Sequence, residues 1–145
     1  MIDINMGVLE EGAAANMKFG VVVVREFEEH ADIHATMAIN NLAALGCAPQ
    51  NIVVRSVPRL NDVVIATQFF AEYTDVDGVI IIAPENRLMG TLSLMNGIVQ
   101  IEIQWNMVVE IGGAECAEHI VEMITMQNEM EMDAPEGAHG PRNIS

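Results

Sequence analysis

The stretch that decides the fold is Val53-Val-Arg-Ser-Val-Pro58-Arg-Leu-Asn-Asp62, followed by an apolar-rich segment, Val63 to Tyr73, and by Gly78-Val-Ile-Ile-Ile82. The first and last parts are short runs rich in β-branched residues, which are typical of strands covered on both faces. The middle part follows a proline turn and carries apolar residues at helical spacing. Together they predict a βαβ unit, in which two parallel strands are joined by a helix.

The same alternation extends toward the N-terminus. Phe19 to Val24 is an unalternated β-branched run and predicts the first strand. A helix follows it, with Asp32 as the predicted N-cap and Gly46 as the residue that ends it. Asn51 to Arg55 predicts the second strand. The predicted buried face of the first helix consists of Ile33, Met37, Leu42, Ala44 and Leu45.

Toward the C-terminus, Val79 to Ala83 predicts the third strand. The next segment, 94–109, is ambiguous because part of it alternates like a strand while Leu94, Ile98, Ile101 and Trp105 fit helical spacing. Three preceding strand–helix steps favour a helix, with a fourth strand at Met107 to Ile111. Gly112-Gly113 then precedes a last helix from Ala114 to about Met130.

The last helix carries a methionine stripe, which we define as Met123, Met126, Met130 and Met132. Methionine fills irregular gaps in cores and also occurs at adaptable binding surfaces. The spacing therefore leaves two interpretations open, core packing and a subunit interface. In the core interpretation, Met123 and Met130 point inward together with Ile120 and Ile124.

The order of elements predicts an α/β three-layer sandwich, a flavodoxin-like four-stranded parallel sheet with helices on both faces. The 145 residues are enough for one domain. We assign that domain to residues 1–132, with an N-terminal arm at 1–18, and treat residues 133–145 as a C-terminal tail because they are rich in proline, glycine and polar residues.

The charge balance restricts the partners. The chain has 21 acidic and 6 basic residues, a formal net charge of −15. Repulsion from phosphate makes nucleic acid or an anionic membrane an unfavourable partner. The same charge opposes an anionic substrate unless the few basic residues converge on it. These are Lys18, Arg25, Arg55, Arg59, Arg87 and Arg142.

Cysteine and histidine patterns give little support for a metal centre. Cys47 and Cys116 lack the spacing of a disulfide framework or a structural zinc site. His30 and His34 are four residues apart, one turn after Glu26, so a two-histidine site can be drawn, but ordinary helix-start residues are the simpler interpretation. No metal or cofactor is predicted. Without a signal peptide or a membrane-spanning stretch, we expect a cytoplasmic protein.

Several segments between residues 19 and 111 together resemble one enzyme family. They are Phe19-Gly-Val-Val-Val-Val-Arg25-Glu-Phe27-Glu-Glu, Ala43-Ala-Leu-Gly46, Ala48-Pro-Gln-Asn51, Arg55-Ser-Val57-Pro58, Tyr73 to Ile82, and Asn96-Gly97 to Val109. In order and content they are similar to the lumazine synthases of riboflavin biosynthesis. The resemblance implies a subunit that assembles into pentamers or larger shells, and a condensation of a ribityl-bearing pyrimidine with a ketose phosphate.

The resemblance also implies a set of substrate-binding positions. They are Phe27, Arg59, Asn61, Asp62, Arg87, Gly90, Thr91 and Ser93. Phe27 would stack on the ring, Asn61 and Asp62 would hold the ribityl chain, and Arg87 with Thr91 would hold phosphate. Taken by themselves, Asn61 and Asp62 are also typical of a turn and N-cap, and Phe27 of a core or rim residue.

The chain departs from the family pattern after the third strand. In Arg87-Leu-Met-Gly90-Thr91-Leu-Ser93, a serine stands where the family has its proton-transferring histidine, and the segment before Asn96 is shorter. Arg59 and Leu60 replace small residues of the family's turn. No catalytic residue is therefore assigned. We expect an oligomeric subunit that has lost catalysis and serves in assembly or in flavin or lumazine binding; the alternative is an active lumazine synthase.

Overall fold

Four parallel strands form a single sheet in the computed structural model, which describes residues 8–84, 86–87 and 91–136. The strands are β1 (Phe19–Val24), β2 (Ile52–Val57), β3 (Gly78–Ile82) and β4 (Val108–Gly112). The described residues also contain four long helices: α1 (Glu28–Ala44), α2 (Val63–Tyr73), α3 (Leu92–Trp105) and α4 (Cys116–Asp133). The strand order is β2-β1-β3-β4. The chain direction across the sheet therefore reverses between β1 and β3.

Two apolar cores lie on opposite faces of the sheet. On one face, Leu42 of α1 and Ile120 of α4 pack against Ile80 and Ile82 of β3. On the other face, helices α2 and α3 cover alternate residues of the same strands, including Val79 and Ile81. Every residue of β3 is buried, as its continuous apolar sequence predicts. This arrangement confirms the predicted three-layer α/β sandwich.

The strand β2 differs from its prediction. We expected it to be covered on both faces, but it lies at the edge of the sheet, and Val54, Arg55 and Ser56 are exposed. The strand β1 occupies the position between β2 and β3. The predicted βαβ unit therefore exists, but its two strands are not direct neighbours.

The start of α1 and part of its buried face were predicted wrongly, although Leu42 is buried as predicted. The helix begins at Glu28, not after Asp32, because a 3₁₀ turn leads straight into it from β1, and acidic residues in its first turn suit the helix dipole. Ile33 and Met37 are 60% and 47% exposed. The face packed on the sheet consists of Ala31, Ala35, Ala38 and Leu42. Small side chains let the helix approach the sheet closely.

The C-terminal half decides between the alternatives left open for segment 94–109 and for the methionine stripe. The ambiguous segment forms α3, which ends at Asn106 in the left-handed conformation, φ 52°, just before β4. This confirms the helical interpretation. In α4, Ile120 and Ile124 are buried as predicted, but the methionine stripe lies on the surface, with exposed fractions from 42% to 84%. The core interpretation of the stripe is therefore wrong.

One glycine allows α2 to pack closely on the amino-terminal part of β1. A Cβ at Gly20 would lie only 2.6 Å from Cδ1 of Phe70, so α2 packs its aromatic ring directly on the β1 backbone. At the end of α1, Gly46 has φ +100°, a conformation that favours glycine and ends the helix where predicted.

The chain termini are described only in part. From Val8 onward the arm passes over the end of α1, where the Ala14 amide donates to the Leu45 carbonyl over 2.9 Å, and it buries Ala14 and Met17. Residues 1–7 of the arm and 137–145 of the tail lie outside the described residues. Within the described residues, no helix combines the length and the apolar character needed to cross a bilayer.

Candidate ligand-binding site

A cavity of about 460 Å³ opens at the carboxyl edge of the sheet; we call it the carboxyl-edge cavity. It is lined by residues that follow three different strands. Glu26 and Phe27 come after β1, Arg59, Leu60 and Asn61 after β2, and Arg87 and Thr91 after β3. In open parallel sheets, ligands bind outside the carboxyl ends of the strands where the strand order reverses. The cavity lies beside that point, between β1 and β3.

The turn after β2 is fixed by two carboxylates. The backbone amide of Arg59 donates to Asp62 Oδ2 over 3.0 Å, and the amide of Leu60 donates to Glu26 Oε1 over 2.8 Å. The first bond closes the proline turn at the start of α2. The second joins this turn to the segment after β1, so both sides of the cavity are held together.

An aromatic ring and a guanidinium lie next to each other at the cavity. Phe27 is half-buried at the end of the 3₁₀ turn, and Arg87 Cζ lies 5.9 Å from its ring centroid. This distance is within the range of a cation–π contact. A planar ligand ring that stacked on Phe27 would therefore lie close to a positive charge.

Positive charge is concentrated at this edge, although the chain is strongly acidic. Arg59 and Arg87 line the cavity. Arg25 lies nearby at the ends of β1 and β2, where its Nη1 donates to Ser56 Oγ over 2.7 Å. Three of the six basic residues therefore lie at this edge, as the net charge requires for an anionic ligand, although Glu26 also lines the cavity. The amide of Asn61 and the hydroxyl of Thr91 add neutral hydrogen-bonding groups.

The predicted positions divide into three groups. Five line the carboxyl-edge cavity: Phe27, Arg59, Asn61, Arg87 and Thr91. Asp62 binds the backbone of its own turn instead, and Ser93 is exposed in the first turn of α3, outside the lining. Gly90 lies outside the described residues. Sequence reasoning missed the contribution of Glu26, although its position directly before Phe27 was a usable signal.

The histidine pair drawn as a metal site has a different arrangement. The rings of His30 and His34 stack with their centroids 4.1 Å apart, and His30 Nε2 lies 3.4 Å from the Gly112 carbonyl oxygen. Glu26 is bonded to Leu60 and does not join them. Among the described residues, no three histidine, cysteine, aspartate or glutamate side chains are placed to hold a metal ion.

A carboxylate near this pair keeps its charge. Burial would raise the pKa of Glu115, but hydrogen bonds from the backbone amides of Glu115 and Gly113 and the charges of His34 and His119 outweigh burial and lower it. His34 therefore interacts with an anion directly before α4, on the side of the sheet away from the lining residues of the carboxyl-edge cavity.

Comparison with known proteins gives one informative match. No family model matches the chain. The chain is similar to the 6,7-dimethyl-8-ribityllumazine synthase of Polynucleobacter necessarius subsp. necessarius (strain STIR1), with 28% identity over 83% of this chain and 85% of that protein. The similarity covers most of both chains, and the sheet order agrees with the predicted fold. The similarity to this synthase is therefore not confined to a single motif.

Proposed function

We propose that this chain is a lumazine-synthase-like subunit that binds a lumazine or flavin in the carboxyl-edge cavity without carrying out the condensation. The observation that carries the proposal is the convergence of Phe27, Arg59, Asn61, Arg87 and Thr91 on one cavity from three strand ends. The cavity volume of about 460 Å³ is in the range of small-molecule sites.

The lining supplies the interactions that such a ligand needs. Its ring would stack on Phe27, a contact worth about 0.5–1.5 kcal/mol beyond the buried area. The ribityl hydroxyls would meet Asn61, Thr91 and the carboxylate of Glu26, which together offer both donors and acceptors. Arg59 and Arg87 would hold an anionic group, such as the phosphate of a phosphorylated flavin.

The absence of turnover follows from the acid–base groups of the lining. Condensation needs proton transfer near neutral pH, which an imidazole performs well. None of the described residues that line the cavity is a histidine. Ser93, which takes the histidine position in the resemblance, is exposed outside the lining, and a hydroxyl alone cannot supply this chemistry. The carboxylate of Glu26 already accepts the Leu60 amide.

One observation favours a second function, an active lumazine synthase. The two arginines of the cavity could hold the phosphate of a ketose phosphate while the pyrimidine stacks on Phe27. The two functions share the binding site and differ only in whether product forms. A turnover assay therefore distinguishes the two functions, whereas a binding assay does not.

The binding test uses riboflavin and 6,7-dimethyl-8-ribityllumazine, whose own fluorescence reports their environment. We expect saturable quenching on titration with protein. The variant Phe27→Leu should weaken binding about tenfold, the equivalent of about 1.4 kcal/mol. The matched control is Phe69→Leu, because Phe69 is 50% exposed on α2 and does not line the cavity. Equal loss in both variants, or no saturation, would contradict the proposed site.

Turnover is tested with the two substrates of the resembled reaction and the absorbance of the lumazine product. Binding without product supports the first function. Product at enzyme-like rates, lost in the Phe27→Leu variant, supports the second. If neither binding nor product is observed, both are wrong.

We also propose that the subunit self-associates into pentamers or larger shells. Large apolar side chains are exposed on both layers, among them Ile33 on α1, Met126 on α4 and Ile103 on α3. Apolar side chains exposed on both helical layers can be buried against neighbouring subunits. Native mass spectrometry should give multiples of five subunits, and a stable monomer at micromolar concentration would contradict the assembly.

A further inference from the structure

A second cavity, of about 190 Å³, lies at the opposite edge of the sheet; we call it the amino-edge cavity. Asp77 lines it directly before β3, and Asn106 and Met107 line it directly before β4. The last turns of α4 close it from the side with Gln127, Asn128 and Glu131. It shares no residue with the carboxyl-edge cavity, so a ligand here would be independent of the function proposed above.

Three helices end around this cavity without a basic residue in their last turns. Residues of α2, α3 and α4 line it, at or near the end of each helix. The carboxyl end of a helix carries a partial negative charge, which a nearby cation normally balances. The negative ends of three helices therefore meet at one place.

Two carboxylates add to this negative potential. Asp77 and Glu131 line the cavity, and no lysine, arginine or histidine is among its described lining residues. The nearby Lys18 ammonium binds Asp75, with Nζ 2.5 Å from Oδ2, and also interacts with the charge of Asp77, so one ammonium is shared between two carboxylates and Glu131 adds a third negative charge. The backbone amide of Lys18 donates to Asp77 Oδ2 over 2.7 Å, which fixes the position of the Asp77 carboxylate.

The cavity also has an aromatic wall in a fixed orientation. Trp105 ends α3, is 39% exposed, and donates from Nε1 to Gln68 Oε1 over 3.3 Å. The amide of Gln127 donates to the Asn106 carbonyl over 2.8 Å and ties α4 to the turn beside the indole. Tryptophan is the best aromatic partner for a cation. The site therefore combines an indole ring with two carboxylates and the negative ends of three helices.

We propose that the amino-edge cavity binds a small organic cation of the alkylammonium class. The indole of Trp105 contacts the alkyl groups around the charge, while Asp77 and Glu131 supply the counter-charges. A metal ion is a poorer fit, because the lining offers an apolar ring and two carboxylates on separate elements and not a compact oxygen shell. The volume of about 190 Å³ limits the ligand to a small amine or quaternary ammonium.

The test uses the chain's single tryptophan as its own reporter. Full-length protein is titrated with choline chloride at constant ionic strength, and Trp105 fluorescence is followed. The neutral isostere 3,3-dimethylbutan-1-ol, which has carbon in place of the nitrogen, is titrated in parallel. We expect a saturable change with choline and none with the alcohol. No saturation by choline, or an equal response to the alcohol, overturns the proposal.

Matched variants test whether choline binds in the amino-edge cavity. Glu131→Gln and Asp77→Asn each remove one charge while keeping a hydrogen-bond acceptor, and each should weaken choline binding about five- to tenfold. Glu129→Gln is the control, because Glu129 is exposed on the same helix but does not line the cavity. Trp105→Leu, followed by calorimetry, should remove measurable binding. Equal weakening by Glu129→Gln would show general attraction to an acidic protein and overturn the proposal.

Discussion

The two edges of the sheet carry opposite chemistry on one scaffold. At the carboxyl edge, where helices begin, Arg59 and Arg87 line a cavity beside an aromatic ring. At the amino edge, where helices end, Asp77 and Glu131 line a cavity beside another aromatic ring. Helix stability alone would favour basic residues at helix ends, yet none of the four long helices has one in its last turn. The arginines at the carboxyl edge and the carboxylates at the amino edge thus have the same sign as the helix ends beside them, which suits ligands of opposite sign, although Glu26 also lines the carboxyl-edge cavity.

The largest expected effect comes from removing both positive charges of the carboxyl-edge cavity. The double variant Arg59→Gln/Arg87→Gln should weaken binding of riboflavin 5′-phosphate about a hundredfold, since a hydrogen bond to a charged group contributes about 1.5–3 kcal/mol. Fluorescence titration measures the loss, and neutral riboflavin should lose much less. Arg55→Gln is the control, because Arg55 is exposed on β2 outside the lining. Equal losses for both flavins would contradict the role of the arginines.

A substitution in the shared scaffold should affect both edges together. Gly20→Ala places a methyl group against the ring of Phe70 and should lower the free energy of unfolding by about 1–3 kcal/mol. Chemical denaturation measures this change. Adding Phe70→Leu should make the double variant less destabilised than the sum of the two single variants, because the clash is relieved. Simple additivity would show that the contact is not as close as described.

A large part of this scaffold follows from local sequence, and the exceptions have physical causes. The continuous runs of β1 and β3 predicted strands with nearly the observed bounds, since only central parallel strands are apolar on both faces. The face of α1 was predicted only in part. Leu42 is buried as expected, but Ile33 and Met37 were expected inside, whereas alanines pack closely on the sheet. The core interpretation of the methionine stripe was wrong for a similar reason, since Ile120 and Ile124 already fill the core.

The two cavities differ in how much of each could be predicted from the sequence. Resemblance supplied most residues of the carboxyl-edge cavity, but the charge count opposed an anionic ligand. Only the fold brings Arg59, after β2, and Arg87, after β3, to the same cavity. The amino-edge cavity left no sequence signal. It depends on Trp105, Asp77 and Glu131, which lie far apart in the chain and meet only because parallel strands and their helices end at the same edge.

A smaller effect is expected from the turn that shapes the carboxyl-edge cavity. Asp62→Ala removes the acceptor for the Arg59 amide and should lower the free energy of unfolding by about 0.5–2 kcal/mol. Flavin affinity should fall with it while choline affinity stays unchanged, which separates the two edges. Asp62→Asn should restore most of the stability, because its carbonyl oxygen can accept the same bond. Choline binding that falls in parallel with flavin binding would contradict independent edges.

The smallest expected effect is a pH-dependent one at the amino edge. The hydrogen bond and charge of Lys18 hold the pKa of Asp75 below its ordinary value, and Asp75 raises the pKa of Lys18. The stabilisation is therefore present above the ordinary pKa of aspartate and is lost as the pH falls through the lowered value. Thermal melts of wild type and Asp75→Asn should differ slightly at pH 7 and converge in strong acid. A difference that grows in acid would have the wrong sign.

The most direct test of binding without condensation is a single-turnover experiment with protein in excess over the ribityl-bearing pyrimidine. The ketose phosphate is added, and lumazine absorbance is followed against a protein-free reaction. The prediction is product formation at the uncatalysed rate, while flavin titration of the same sample shows an occupied, saturable carboxyl-edge cavity. A burst of product that disappears in the Phe27→Leu variant would contradict it and identify the chain as an active synthase.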